Sequence, residues 1–164
     1  MKEEINKASK ILKDGGIILY PTDTVWGIGC DATNEEAVKR IYKLKKRSVS
    51  KSLLVLVDHD FRLERTVEEV PEVAWNLMEY SEKPVTIIYN NPIGIAKSVM
   101  NTDGSLGIRV VKDTFCKKLI STLNKPIIST SANISGEKQA SCFVEISDEI
   151  KNSVDHIVNL RQEE

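Results

Sequence analysis

Residues 39–51 carry Lys39, Arg40, Lys43, Lys45, Lys46, Arg47 and Lys51 and no acid. Two fates suit such a run. Cations at a helix C-terminus relieve its dipole, and a charged run is commonly a solvated face. A planar arginine fork beside lysine point charges also suits phosphates. A second stretch, Ser129-Thr130-Ser131-Ala132-Asn133-Ile134-Ser135-Gly136, places hydroxyls and an amide after an apolar run. Those groups serve a turn or donate to phosphate oxygens. A third, Tyr20-Pro21-Thr22-Asp23-Thr24-Val25-Trp26-Gly27-Ile28-Gly29, is rich in hydroxyls, and its glycines permit close backbone approach to a ligand. No Lys-Ser or Lys-Thr pair follows those glycines, so this is not a P-loop; a Pro/Gly turn and a ligand loop both remain open. The fourth feature is Arg109, a lone cation in the apolar run 106–111. A buried guanidinium demands an anion. The nearest acids along the chain, Asp103 and Asp113, lie outside the run, so a protein carboxylate or a ligand carboxylate would serve.

These residues need a scaffold. Ile5, Ala8, Ile11 and Leu12 recur at helical spacing, and Gly15 and Gly16 end that helix. Residues 17–20 suit a buried strand stopped by Pro21, and a loop containing Gly27 and Gly29 follows. Asn34 caps a second helix, with Glu35 and Glu36 in its first turn and Ala37, Val38, Ile41 and Leu44 along its apolar stripe. Lys45, Lys46 and Arg47 fall where it should end. Residues 53–57 suit a second buried strand, and 61–69 are helical or irregular. Pro71 begins a helix with Val73, Ala74, Leu77 and Met78 facing inward. Strands follow at 85–89 and, after the turn Asp103-Gly104, at 106–111. Phe115, Leu119, Ile120 and Leu123 mark a helix, and strands at 126–129 and 157–160 close the pattern. Strands and helices alternate, so the class is α/β with a largely open sheet. Polar loops follow Tyr20, Val57 and Ser129, and ligands gather at strand ends in such sheets.

Composition narrows the partners. Twenty-three basic and 24 acidic side chains give a net charge of −1, so any anion site must come from local clustering. The 164 residues suit a single domain, 1–164. Cys30, Cys116 and Cys142 lack metal-type spacing and read as free thiols in a reducing compartment. With only His59 and His156, a histidine metal site or a Ser-His-Asp triad is not expected. The polar, acidic start Met1-Lys2-Glu3-Glu4 is unlike a signal peptide, and no apolar run approaches the ~20 residues of a membrane span. A soluble, cytoplasmic protein is expected.

Taken in order, Tyr20-Pro21-Thr22-Asp23-Thr24-Val25-Trp26-Gly27, Lys45-Lys46-Arg47 and Ser129-Thr130-Ser131-Ala132-Asn133 resemble the YrdC/YciO family, most closely its threonylcarbamoyl-AMP synthases, over roughly residues 5–160. The resemblance implies a twisted, open, mixed sheet flanked by helices, with a concave, positively lined cavity. It implies synthesis of threonylcarbamoyl-AMP and pyrophosphate from L-threonine, bicarbonate and ATP, with Mg²⁺ accompanying ATP. The product serves tRNA modification through downstream tRNA threonylcarbamoyl-transferase proteins. The family's catalytic signature pairs look like Lys45 with Arg47, and Ser131 with Asn133. ATP contacts would fall on these four and on Lys51 and Ser105; threonine contacts would fall on Thr24, Arg109 and Ser129. No metal-ligating side chain is implied.

This chain departs from the family's pattern at several points. The family's Arg-Pro is Arg47-Ser48, and its Trp-Pro-Gly-Pro is Ser81-Glu82-Lys83-Pro84. A threonine-binding histidine of some long members corresponds to Leu56, and a second serine after the Ser-x-Asn loop to Gln139. Members often continue with a segment that helps close the site, whereas this chain ends at Glu164. Two rival readings stand beside the synthase. One is a double-stranded RNA or tRNA binding module; the other is a YciO-type paralogue that keeps the pocket without the reaction.

Overall fold

Helix α1 (Lys2–Lys13) forms because Ile5, Ala8 and Leu12 return to one buried face, with Glu3 and Glu4 in its first turn and Lys10 and Lys13 in its last. Gly15, at φ +81°, turns the chain into β1 (Ile18–Tyr20). The computed structural model describes residues 1–46 and 53–164. The chain continues through β2 (Gly27–Gly29), α2 (Glu35–Lys45), β3 (Leu54–Val57), α3 (Asp60–Thr66), α4 (Glu72–Tyr80) and β4 (Ile87–Tyr89). It finishes with β5 (Leu106–Val110), α5 (Thr114–Leu123), β6 (Ile127–Ser131), α6 (Asp148–Ser153) and β7 (His156–Ile157). Caps fix the helix starts: Asn34 accepts from the Ala37 N–H at 3.1 Å, and Asp113 accepts from the Cys116 N–H at 2.9 Å.

The strands form one seven-stranded mixed sheet in the order β4-β5-β3-β6-β2-β1-β7. The pairs β3–β5 and β1–β7 are parallel, and the other four are antiparallel. Alternation along each strand sends side chains to two cores. Ile18, Tyr20, Leu56 and Ile127 pack beneath α1 and α5, while Ile17, Leu19, Val55, Val57 and Ile128 pack with Ala37, Val38 and Ile41 of α2.

Three sequence expectations need correction. The Gly27–Gly29 segment is a strand, not a loop: it lies between β1 and β6 and pairs with both. The strand expected to end at Ser129 runs on through Thr130 and Ser131, because Thr130 pairs with Ile28 and Ser131 with Gly27. Helix α4 buries Ala74 alone; Val73 and Leu77 are 62% and 52% exposed and border an open hollow beside β4.

Candidate active site

On β6, Ile127, Ser129 and Ser131 share a face. Ile127 lies under α1 and α5, whereas Ser129 and Ser131 reach beyond that cover and line two adjoining hollows. One of 370 Å³ is bounded by Leu54, Thr86, Ile88, Asn101 and Gly107; one of 160 Å³ by Thr24, Trp26, Gly27, Arg109 and Gln139. Both share Leu54, Ser129, Thr130 and Ser131, so they form one groove across the sheet. Its floor is tight at two glycines: a Cβ at Gly27 would sit 3.0 Å from Ser129 Oγ, and one at Gly107 would sit 3.3 Å from Thr86 Cγ2. A larger hollow of 580 Å³ lies at the other end of β3, beside Asp58, His59, Lys117 and Lys118, and contains none of the sequence-predicted site residues. The chemistry therefore favours the smaller groove.

The basic run divides. Lys39 pairs with Glu36 at 3.9 Å, Arg40 with Asp155 at 3.0 Å and Lys46 with Glu149 at 3.2 Å, so these three are structural or solvated cations. Lys45 differs. It is 1% exposed, and its Nζ donates to the Ser131 carbonyl at 2.5 Å, to Ser131 Oγ at 3.1 Å and to Asn133 Oδ1 at 3.5 Å. Ser131 Oγ donates in turn to Asn133 Oδ1 at 2.5 Å. The Asn133 amide donates to the carbonyls of Ile134 and Glu137, and the Lys45 carbonyl accepts from the Ser135 N–H at 2.9 Å. Lys45, Ser131 and Asn133 thus form one hydrogen-bonded unit joining the end of α2 to the end of β6. Arg47 and Lys51 lie outside the described residues.

Thr24 is exposed at the groove, and its N–H is anchored to Thr22 Oγ1 at 3.1 Å. The Thr22 hydroxyl donates to the Val25 carbonyl at 2.5 Å, closing a tight turn within the loop. Ser129 faces both hollows. Ser105 does not line them: its hydroxyl donates to Asp103 Oδ1 at 2.6 Å and accepts from Asn101 Nδ2 at 2.9 Å. It is Asn101 that reaches the groove. Leu56 is fully buried under α1 and α5, while Gln139 stands at the groove.

Arg109 lines the groove and also has a protein partner. Its Nη1 donates to Asp23 Oδ1 at 3.4 Å, and its Nε and Nη2 donate to Thr86 Oγ1 at 3.2 and 3.0 Å. The missing anion is therefore Asp23, 86 residues away in sequence. Neither Asp23 nor Thr86 was assigned a role from sequence. The available signal was the lone Arg109, whose partner had to come from another element. The buried titratable groups beside the sheet stay neutral: burial pushes the Tyr20 phenol and the Cys30 and Cys116 thiols well up. They are not nucleophile candidates at neutral pH.

A mixed sheet carrying a Lys–Ser–Asn unit and an oriented arginine along one groove defines an α/β protein with a polar, cation-bearing groove. The chain belongs to the Sua5/YciO/YrdC family, described as telomere recombination, which it matches over residues 10–164. It is 33% identical over 153 residues to a threonylcarbamoyl-AMP synthase of Pseudomonas paraeruginosa, covering 92% of this chain and 82% of that protein. It is similar to Pyrococcus abyssi Sua5 in complex with L-threonine, with a TM-score of 0.88 and 25% identity over 96% of this chain. It spans 46% of that longer protein. It is likewise similar to Escherichia coli YciO, with a TM-score of 0.82, 26% identity, and coverage of 96% of this chain and 77% of that one.

Proposed function

We infer that this chain is a threonylcarbamoyl-AMP synthase, making threonylcarbamoyl-AMP, pyrophosphate and water from L-threonine, bicarbonate and ATP. The observation that carries the reading is the hydrogen-bonded unit of Lys45, Ser131 and Asn133 beside a groove that also presents Thr24, Ser129 and Arg109. The substrate amine and bicarbonate condense to a carbamate with loss of water. A carbamate oxygen then attacks the α-phosphorus as the bond to pyrophosphate breaks. Both partners are anions, so the barrier falls when fixed cations and donors meet the charge on the phosphates.

Within that scheme Lys45 fixes the Ser131–Asn133 turn and holds its charge at the edge of the nucleotide site. Ser131 and Asn133 then present preoriented polar groups, with Arg47 and Lys51 supplying further cations. Ser105 acts through Asn101, and Mg²⁺ enters on the ATP phosphates. Arg109 takes the threonine carboxylate, and Thr24 and Ser129 take its remaining polar groups. Holding the carbamate and α-phosphorus in reacting geometry accounts for much of the rate without a general base.

The test is pyrophosphate release that depends on both L-threonine and bicarbonate. Release without threonine, or none at all, would remove the reading in favour of a pocket without the reaction. The product would pass to tRNA threonylcarbamoyl-transferase proteins. Contact with tRNA or double-stranded RNA is expected to be weak and to fade steeply with salt, because only a local basic run is available and three of its members are already paired. RNA binding that survives high salt would favour a binding module.

A further inference from the structure

We propose that Asp23 and Thr86 are positioning residues that hold the Arg109 guanidinium so that its two remaining N–H groups meet the substrate carboxylate. The inference rests on the L-threonine reading above and deepens it.

The argument is a count of donors. A guanidinium has five N–H groups in a fixed plane. Thr86 Oγ1 takes one from Nε and one from Nη2, at 3.2 and 3.0 Å. Asp23 Oδ1 takes one from Nη1 at 3.4 Å. Two N–H groups remain, one on each terminal nitrogen, and among the described residues neither has a protein partner. A carboxylate offers two oxygens to such a pair.

Distance decides between saturation and orientation. Charge-assisted N–H···O⁻ bonds are typically ~2.7–2.9 Å, and the Asp23 contact at 3.4 Å is longer. Asp23 therefore fixes the fork without consuming it. Its other oxygen is tied to the Lys112 N–H at 3.3 Å, just past the end of β5. The Asp23 and Arg109 side chains are 9% and 13% exposed, so the pair is largely shielded from water. Thr86, immediately before β4, faces Arg109 across the β4–β5 pair. The plane is thus held from two sides by separate elements, and Arg109 borders the hollow that Thr24 and Ser129 also line.

Isothermal titration with L-threonine and with ATP tests the assignment on wild type, Thr86→Val, Thr86→Ser, Asp23→Asn and Arg109→Ala. Thr86→Val and Asp23→Asn should each weaken L-threonine about 10-fold and leave ATP within about twofold; the melting temperature should hold for Thr86→Val and fall for Asp23→Asn, which leaves the Arg109 charge unpaired. Thr86→Ser, which keeps the hydroxyl, should bind as wild type. With L-threonine amide, which lacks the carboxylate, wild type and the two weakened variants should become equal. If wild type binds L-threonine and Arg109→Ala loses it, while Thr86→Val and Asp23→Asn bind as wild type, the positioning role is overturned and the substrate reading stands. Equal weakening of ATP and L-threonine would also overturn it. If wild type does not bind L-threonine, the substrate reading fails and this inference with it.

Discussion

At the residue scale the site depends on few side chains, each with a separable task. Lys45 is buried and committed to Ser131 and Asn133, so its removal should disturb the Ser131–Asn133 turn before it disturbs the fold. Lys45→Met fills the same space without the donors. Ser131 Oγ keeps its bond to Asn133 Oδ1, so the loop retains one tie. The expected outcome is a folded protein with kcat/KM for ATP reduced about 10²–10³-fold, the usual loss on deleting one preorganised donor. Steady-state kinetics beside a thermal melt separate that outcome from unfolding. Arg109→Lys keeps the charge and loses the planar fork. Lysine cannot serve Asp23, Thr86 and a bidentate carboxylate together. The apparent constant for L-threonine should rise roughly 10–100-fold, the scale of a lost charge-assisted hydrogen bond, with that for ATP nearly unchanged. Equal effects on both substrates would assign Arg109 to the phosphates or to the fold.

At the element scale the groove exists because β2 can lie between β1 and β6. Gly29 makes that possible. A Cβ there would collide with the Ile128 carbonyl and come within 2.7 Å of Tyr20 Cε1. The Tyr20 hydroxyl crosses beneath Gly29 to donate to that same carbonyl at 2.9 Å. Gly29→Ala should cost about 1–3 kcal/mol through overpacking and lower the melting temperature by roughly 2–10 °C. L-threonine binding should weaken as well, since β2 sets Gly27 against Ser129 and Ser131. This strand also shows where sequence reading stops. Gly-Ile-Gly looks like a turn locally, and pairing on both sides, with β1 and with Ser131 more than a hundred residues on, makes it a strand. Helix α2 was legible because its cap, acidic first turn and apolar stripe are all local. The inward face expected for α4 held for Ala74 and Met78 and not for Val73 and Leu77, because periodicity names the apolar stripe, while a neighbouring element must cover it. The Lys45, Ser131 and Asn133 unit was legible through ordered motifs carried by the family resemblance. The Asp23–Arg109–Thr86 cluster was not, because it depends on how β4, β5 and the loop before β2 meet in space.

At the scale of the whole molecule, the chain's two ends close the sheet together. Among the described residues the two-residue strand β7 pairs with β1 alone, so its attachment relies on side chains. Glu4 on α1 accepts from the Asn159 N–H at 3.0 Å and meets His156 Nε2 at 3.1 Å. Asp155 accepts from the Ile17 N–H at 2.7 Å and from Arg40 at 3.0 Å. Burial raises both carboxyl pKa values, but the bonds to Asn159 and His156 outweigh it for Glu4, and those to Arg40 and Ile17 outweigh it for Asp155. Both groups are therefore held below their ordinary values of 4.5 and 3.8. A depressed folded-state value means that the unfolded chain binds protons first as pH falls. The stabilisation is thus complete above about pH 4.5–5 and disappears as pH drops through the folded-state values. Acid should release β7 and residues 158–160 before the central strands, with amide exchange there accelerating first. Glu4→Gln cannot ionise, so its stability should be about 1 kcal/mol lower at neutral pH and should fall less steeply between pH 5 and 3. Urea unfolding of both proteins across that range measures the difference directly. If the two curves ran parallel, Glu4 would not be a proton-linked fastening of the C-terminal segment, and the acid sensitivity of β7 would rest on Asp155.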